Sequence, residues 1–429
     1  MRNAAGPWSS RPSAQPLTLQ AVIHPYATPR ALELAARARA FLDEHVLPHE
    51  LDWLQRPSGE VERLLRERHR EHLRDLELWN LYHGREHGGP GLTLTELAQV
   101  VEVLGESPWG LLAVNAQAPD AGNLELLLAY AGDAALRERY VAGLLAGELR
   151  SCFGMTEPAR AGSNPTLLDT TAVRDGDHYV VNGRKWFTTG ADGAALCIVM
   201  AVTDPTAERP HERASMLCVP TDAPGFTLVR NLPVMGHAGS GWLSHAEVEL
   251  REVRVPVSYR LGEQGAGFRL AQERLGPGRI HHCMRWIGIA ERALRMMLAR
   301  AATRELRAGV TLGQQQMVQA WLAEARAEID AARLLVLNAA HRIDAEGQRA
   351  ARDAVSTIKF FAADVMLRVV DRALQTHGGL GVLDDTILAF FYREERAARI
   401  YDGTDETHKA SLARRMLREF ARTRPQVLA

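Results

Sequence analysis

The chain has 429 residues, 46% of them hydrophobic and 24% charged, with a formal net charge of -1 at pH 7. That length exceeds a single compact core and gives room for two or three domains. The near-zero charge excludes a global field that would draw the chain to nucleic acid or to an anionic membrane. An anionic ligand would need a local cluster of arginines, since Lys185, Lys359 and Lys409 are the only lysines. The cysteines Cys152, Cys197, Cys218 and Cys283 show no CxxC spacing. A disulfide framework and a zinc site are therefore not expected, and a reducing, cytoplasmic compartment is. The longest apolar runs fall short of a membrane span.

Residues 1–25 are rich in Ala, Ser, Pro and Gln and contain no acids. They lack the apolar stretch of a secretory signal and read as a disordered tail. From 26 to 150 the pattern is helical: ALELAARARAFLDEHV, ELAQVVEVLGE and LELLLAYAGDAALRERYVAGLLAG recur at i, i+3 and i+4. From 151 to 260 short β-branched and aromatic runs alternate with turn residues, and Asp175-Gly176 and Asn182-Gly183 read as hairpin or turn signals. From 261 to 429 the chain is helical again, in longer elements that suggest a four-helix bundle.

Two segments of the β region have the composition of a ligand site. Phe153-Gly154-Met155-Thr156-Glu157-Pro158 is followed by Gly162-Ser163-Asn164. Such a turn exposes backbone N–H groups and hydroxyls to a flavin edge or a phosphate, although locally it reads first as an ordinary turn between strands. Gly183-Arg184-Lys185-Trp186-Phe187-Thr188-Thr189-Gly190 sets a Trp, a Phe and two Thr on a strand. These either stack on and hydrogen-bond a planar ring or fill a sheet core. Regular alternation puts Trp186 and Thr188 on one face and Phe187 and Thr189 on the other. His281 and His282 are adjacent, so on a helix they point apart and make no metal pair. His377 reads as a flavin-loop residue or a satisfied core histidine. Asp402 without its context is a turn aspartate before Gly.

In this order, the segments resemble the acyl-CoA dehydrogenase family, whose flavin signatures run aromatic-x-M-T-E-P and K-x-W-I/F-T. The resemblance continues through Arg279 in GPGRI ahead of the helix IGIAERAL, Gln316 opening a bundle helix, Gln375-Thr376-His377-Gly378-Gly379-Leu380-Gly381, and Ile400-Tyr401-Asp402-Gly403-Thr404. It implies an α+β acyl-CoA dehydrogenase fold: an N-terminal helical domain, a middle antiparallel β domain and a C-terminal four-helix bundle. It implies FAD, with Thr156 and Thr188 on the isoalloxazine, Trp186 packed against it, and Phe153 and Met155 at the flavin–substrate contact. Ser163 would reach the pyrophosphate, and Thr404 the diphosphate, at the start of a helix whose N-terminus favours phosphate. Gln316, Gln375 and Gly379 match positions that touch the FAD of a neighbouring subunit, which implies a homodimer or homotetramer. Arg307, in Arg304-Glu305-Leu306-Arg307-Ala308-Gly309, is taken for the adenine end. Arg279, Tyr401 and Gly403 are placed at the substrate, and residues 119–127 near its acyl chain.

The implied reaction is α,β-dehydrogenation of an acyl-CoA to a trans-2-enoyl-CoA. Asp402 removes the α-proton, flavin N5 accepts the β-hydride, and electron-transfer flavoprotein takes the electrons. The backbone N–H of Asp402 would help to hold the thioester oxygen. The usual base of the family is glutamate, and aspartate is shorter by roughly 1 Å of reach. It marks a branch similar to the dehydrogenase modules of the vertebrate kinase-linked members and to bacterial single-domain relatives. A carboxylate buried against flavin and acyl chain is desolvated, which raises its pKa toward neutral. Two alternatives share the fold: an acyl-CoA or nitroalkane oxidase, reoxidised by oxygen, and a non-catalytic flavoprotein associated with nucleic acid. The latter calls for a basic C-terminal face, and LARRMLREFARTRPQ is Arg-rich but short.

Overall fold

The computed structural model describes residues 24–423, so all but the last two residues of the expected tail lie outside the described residues. Helix α1 (Pro29–Phe41) starts on Thr28, whose hydroxyl accepts from Ala31 N at 3.1 Å, with a proline in the first helical position. Helix α2 spans Ser58–Asp75 and α3 spans Leu94–Leu104, the latter opened by a reciprocal capping box between Thr93 and Glu96. Helix α4 covers Asp120–Tyr130. The apolar pattern that reads as one helix through 147 breaks after Tyr130. Asp133 caps a new turn there by accepting from Leu136 N at 2.8 Å.

Eight strands follow: β1 (Ser151–Gly154), β2 (Thr171–Asp175), β3 (His178–Thr189), β4 (Leu196–Val202), β5 (Ala214–Pro220), β6 (Phe226–Asn231), β7 (His245–Pro256) and β8 (Arg260–Leu261). They form one sheet in the order β6-β7-β3-β2-β4-β5-β8, with β1 beside β4. The sheet was expected to be antiparallel. Most pairs are, but β1 runs parallel to β4, and β2 meets β4 in parallel at Thr171 and Val202. Inward residues of β3 and β7 (Tyr179, Val181, Val248, Val253) and of β4 and β5 (Cys197, Val199, Leu217, Val219) share one apolar core.

Of the two expected turn signals, Asp175-Gly176 joins β2 to β3, as its spacing suggested. Asn182-Gly183 does not turn the chain. It lies inside β3 as a pairing irregularity against β7. There Asn182 Nδ2 donates to Glu252 Oε1 at 2.7 Å, and Asn182 Oδ1 accepts from Glu252 N at 2.8 Å. The side chain supplies the local pairing that the irregular backbone loses.

Helix α5 (Gly267–Thr303) is continuous for 37 residues, through the Gly-Pro-Gly that was expected to precede it. Pro277 removes one intrahelical donor without ending the helix. A small hairpin, β9 (Glu305–Arg307) and β10 (Val310–Thr311), leads to α6 (Gln316–Glu346), α7 (Arg352–His377), α8 (Ile387–Glu395) and α9 (Asp405–Thr423). Helix α7 packs along α5, α6 and α9, completing the bundle, and α3 lies across α5 and α6. One apolar core therefore joins the N-terminal helices (Leu97, Val100, Val101, Leu104) to the bundle (Ile287, Ala290, Ile329, Val336). Among the described residues no helix is long and apolar enough to cross a membrane.

The crossing of α3 and α5 depends on Gly288. A β-carbon there would stand 2.0 Å from the Glu102 carbonyl oxygen and 3.2 Å from Glu106 N, both backbone atoms. Gly288→Ala should therefore force the helices apart and destabilise the protein by about 2–3 kcal/mol, read as a lowered denaturation midpoint.

Candidate active site

The two motif segments of the β domain meet through one buried ion pair. Lys185 Nζ donates to Glu157 Oε1 at 2.7 Å and to the Met155 carbonyl at 3.2 Å. Both charged side chains are almost wholly buried, at 1% and 3% exposure. Glu157 also accepts from Asp169 N at 2.6 Å and from Thr170 N at 3.0 Å, which closes the loop containing Ser163. Burial alone would raise the Glu157 carboxyl, but Lys185 and these donors hold it below its usual range. Beside the pair, Thr156 Oγ1 donates to the Trp186 carbonyl at 2.8 Å and Trp186 N donates back to the Thr156 carbonyl at 3.1 Å.

Regular alternation fails just here. Two residues, Trp186 and Phe187, stand opposite Glu247 in a bulge between Lys185 and Thr188, and Phe187 takes a left-handed φ of 48°. The Trp186 and Phe187 rings touch, with centroids 4.9 Å apart, instead of facing opposite ways as expected. Thr188 points inward. Its Oγ1 is buried and has no hydrogen-bond partner among the described residues. An orphaned hydroxyl next to a half-buried Trp fits the edge and face of a planar, hydrogen-bonding ring such as isoalloxazine.

A second cluster forms where α5 meets the segment before α9. Asp402 has a left-handed φ of 54°, and its carbonyl is held from two sides. Arg279 Nε and Nη2 both donate to it at 3.3 Å, and His408 Nε2 donates at 3.1 Å. His408 is pushed down to about 4, first by burial and then by Arg279 and Lys359. It is therefore a neutral donor at neutral pH. Gly403 follows with φ 94°, and a β-carbon there would come 2.8 Å from His408 Nε2. The Asp402 carboxylate meets His282, with Oδ2 3.2 Å from Nε2. Asp402 is deep-set, yet 20% of its side chain remains accessible.

The electrostatics of Asp402 differ from expectation. Burial does push its carboxyl upward, but the His282 hydrogen bond and the charges of His282, Arg279 and Arg274 outweigh it. Asp402 is thus held well below the usual carboxylate range and is ionised at neutral pH. Tyr401, expected at the substrate, has its hydroxyl engaged elsewhere. It accepts from Arg285 Nη2 at 3.0 Å and from Trp286 Nε1 at 3.2 Å, and its ring lies against His282.

Arg274 links the two clusters. Its guanidinium lies 4.4 Å from the Phe153 ring, and its Nε donates to Asn123 Oδ1 at 3.1 Å; Asn123 Nδ2 in turn donates to the Cys152 carbonyl at 3.1 Å. Helix α4, expected beside the acyl chain, carries two carboxyls here. Asp120 is pushed up to about 7 by burial and binds Ser151 N and Oγ, both at 2.6 Å. Glu125 is also pushed up to about 7 by burial, with Arg274 as its opposing charge.

Thr404 accepts from Thr407 N at 3.2 Å and so caps α9, at the helix start expected to face phosphate. Ser163, Arg307, Gln316, Gln375 and Gly379 lie exposed and are not drawn into either cluster. His377 is a satisfied core histidine, its Nδ1 2.7 Å from the Ala373 carbonyl. The expectations weighed His282 only as a metal ligand, which they dismissed, and did not include Arg274. The signal for His282 was its spacing: three residues after Arg279, it shares that residue's helix face.

Three family models match the chain: acyl-CoA dehydrogenase, N-terminal domain over residues 28–148, middle domain over 152–253 and C-terminal domain over 265–417. FadE2 of Mycobacterium tuberculosis, described as a probable acyl-CoA dehydrogenase, is 43% identical over 396 residues, 90% of this chain and 95% of that protein. Acyl-CoA dehydrogenase family member 10 of Mus musculus is 39% identical over 92% of this chain, but the match spans only 38% of that longer protein. A solved structure from Mycobacterium abscessus, assigned as an acyl-CoA dehydrogenase, superposes with a TM-score of 0.85 at 38% identity, covering 92% of this chain and 99% of that one.

Two outcomes follow from the geometry around β3. Lys185→Met leaves Glu157 buried without its partner and should cost about 3–5 kcal/mol in chemical denaturation. Thr188→Val should leave the melting temperature of the FAD-free protein no lower, because the hydroxyl it removes has no partner there. The same change should weaken FAD binding by about 1 kcal/mol, roughly fivefold in Kd by fluorescence titration.

Proposed function

The chain belongs to the acyl-CoA dehydrogenase family, an FAD-dependent oxidoreductase family acting on acyl-CoA, and from that premise we propose that Asp402 is its catalytic base. The observation that carries the proposal is the placement of Asp402: an ionised, deep-set but still accessible carboxylate, its backbone gripped by Arg279 and His408.

FAD, when bound, accepts the hydride that leaves the β-carbon of the acyl chain. In our reading Trp186 and Thr188 hold the flavin ring, Phe153 and Met155 lie at its contact with substrate, and Thr404 at the cap of α9 serves the diphosphate. Among the described residues the Asp402 N–H makes no backbone hydrogen bond, which leaves it to donate to the thioester oxygen. That donation stabilises the negative charge that develops as the α-proton leaves. The α-C–H bond breaks, an O–H bond forms on the Asp402 carboxylate, and the electron pair becomes the new double bond as the β-hydride departs. The product is a trans-2-enoyl-CoA. Arg279 and Arg274 keep the base ionised until substrate arrives, and Arg274 also fixes the Phe153 ring at the junction of the two clusters.

We assign the exposed residues Ser163, Arg307, Gln316, Gln375 and Gly379 to FAD contacts that a homodimer or homotetramer would complete. Electron-transfer flavoprotein is the proposed acceptor and the cytoplasm the proposed compartment. Anaerobic addition of butyryl-, octanoyl- or palmitoyl-CoA should bleach the visible flavin absorbance, and reoxidation in air should give little hydrogen peroxide. Stoichiometric peroxide would point to an oxidase instead. Asp402→Asn should retain FAD and lower the bleaching rate by about a thousandfold; a rate near that of the parent enzyme would remove Asp402 from the mechanism.

A further inference from the structure

A base one methylene shorter than glutamate must be held where its carboxylate still reaches the α-carbon. The structure holds it through a residue to which the resemblance assigns no role. His282 Nε2 lies 3.2 Å from Asp402 Oδ2. We propose that His282 is a positioning residue for the base: its Nε2–H fixes one carboxylate oxygen of Asp402 and leaves the other to face the α-carbon. This rests on the assignment of Asp402 as base.

The imidazole is itself fixed on three sides. It stacks on Trp286 at 6.0 Å and 22°, meets the Tyr401 ring at 5.4 Å and 62°, and meets the His281 ring at 5.2 Å and 63°. Two of those walls are pinned in turn: Trp286 Nε1 donates to Glu395 Oε2 at 3.1 Å and to the Tyr401 hydroxyl at 3.2 Å, and Arg285 Nη2 donates to both as well. A rigid ring with one donor aimed at a carboxylate can set that carboxylate's position within a few tenths of an ångström, the scale on which proton transfer depends. Because an ionised carboxylate only accepts, the proton of this contact belongs to Nε2. Nδ1 is buried and has no partner among the described residues, so nothing else competes for the ring's orientation.

The charged and titratable groups around Asp402 come from four elements. Helix α5 contributes Arg274, Arg279, His281, His282 and the Cys283 thiol, α7 contributes Lys359, α9 contributes His408, and Tyr401 adjoins it in sequence; burial holds His281 well below its usual range. Removing His282 leaves the arginines and Lys359 in place and deletes the hydrogen-bonded partner. The Asp402 carboxyl then moves upward under burial. A carboxylate base is lost as pH falls through its pKa, so the acid limb of kcat/KM moves to higher pH.

The experiment is a double-mutant cycle on the FAD-loaded enzyme, using the acyl-CoA from the butyryl, octanoyl and palmitoyl panel that bleaches the flavin fastest. FAD content and melting temperature are measured for each variant. His282→Ala should lower kcat roughly 30-fold and shift the acid limb of kcat/KM upward. Asp402→Glu should also be impaired in the parent background, because the longer arm meets His282. In the His282→Ala background the same Asp402→Glu change should restore about tenfold. His282→Gln, which keeps an amide donor, should lie between Ala and the parent, and it stands in if Ala fails to fold or to retain FAD. Rates within threefold of the parent with an unmoved acid limb, or an Asp402→Glu change no better without His282 than with it, overturn the proposal. If no acyl-CoA bleaches the parent enzyme, the dehydrogenase reading fails first. The contact is then judged by a crystal structure of the FAD-bound protein, where an Asp402–His282 separation beyond about 3.5 Å refutes it and a hydrogen bond sustains it.

Discussion

The buried pair Lys185–Glu157 is the constraint on which the proposed flavin side of the site rests. Two charges taken out of water are costly, and they are tolerated only when each finds its partners. Glu157 meets that condition by accepting from Lys185 Nζ, Asp169 N and Thr170 N, and Lys185 by donating also to the Met155 carbonyl. The consequence is geometric. Residues distant in sequence, Thr156 on its loop and Trp186 on β3, are set in one register and exchange hydrogen bonds. The bulge that follows turns Trp186 and Phe187 together and leaves Thr188 inward. A regular strand would have split the two rings across the sheet.

Helix α5 does for the proposed base, Asp402, what the ion pair does for the segments proposed to hold the flavin ring. In a little over three turns it presents Arg274 to Phe153, Arg279 to the Asp402 carbonyl, His282 to the Asp402 carboxylate, and Arg285 and Trp286 to Tyr401. It is anchored independently, at Gly288, where the backbone of α3 passes too close for a side chain. The distance between the proposed flavin segments and the proposed base is therefore set by one continuous rod, with its end packed into the core that the N-terminal helices share with the bundle. Such an arrangement suits a reaction in which two bonds to adjacent carbons break toward opposite partners.

The order helical, β, helical was legible because periodicity is local: the 3.6-residue and two-residue patterns need no knowledge of distant residues. Where a side chain outvoted the backbone pattern, reading failed locally. Asn182-Gly183 has the composition of a turn, yet Asn182 is bound to Glu252 and the strand continues. Gly-Pro-Gly has the composition of a helix stop, yet α5 runs through it. Helix α4 stops at Tyr130 where the apolar pattern does not, because Asp133 offers a cap for a fresh turn.

By itself the sequence determined the family, the fold class, and the short motifs in which Thr156, Trp186, Thr188 and Asp402 stand, since those depend on residue identity at fixed spacing. Only the tertiary structure decided how these groups behave. The sign of the Asp402 shift is the clearest case. From sequence, burial alone was foreseeable, and burial raises a carboxyl. The folded chain adds His282, Arg279 and Arg274 from a helix more than a hundred residues away, and their charge and hydrogen bonding reverse the shift. Electrostatic energy depends on distance in space, and no spacing along the chain encodes which cations will stand beside a given carboxylate.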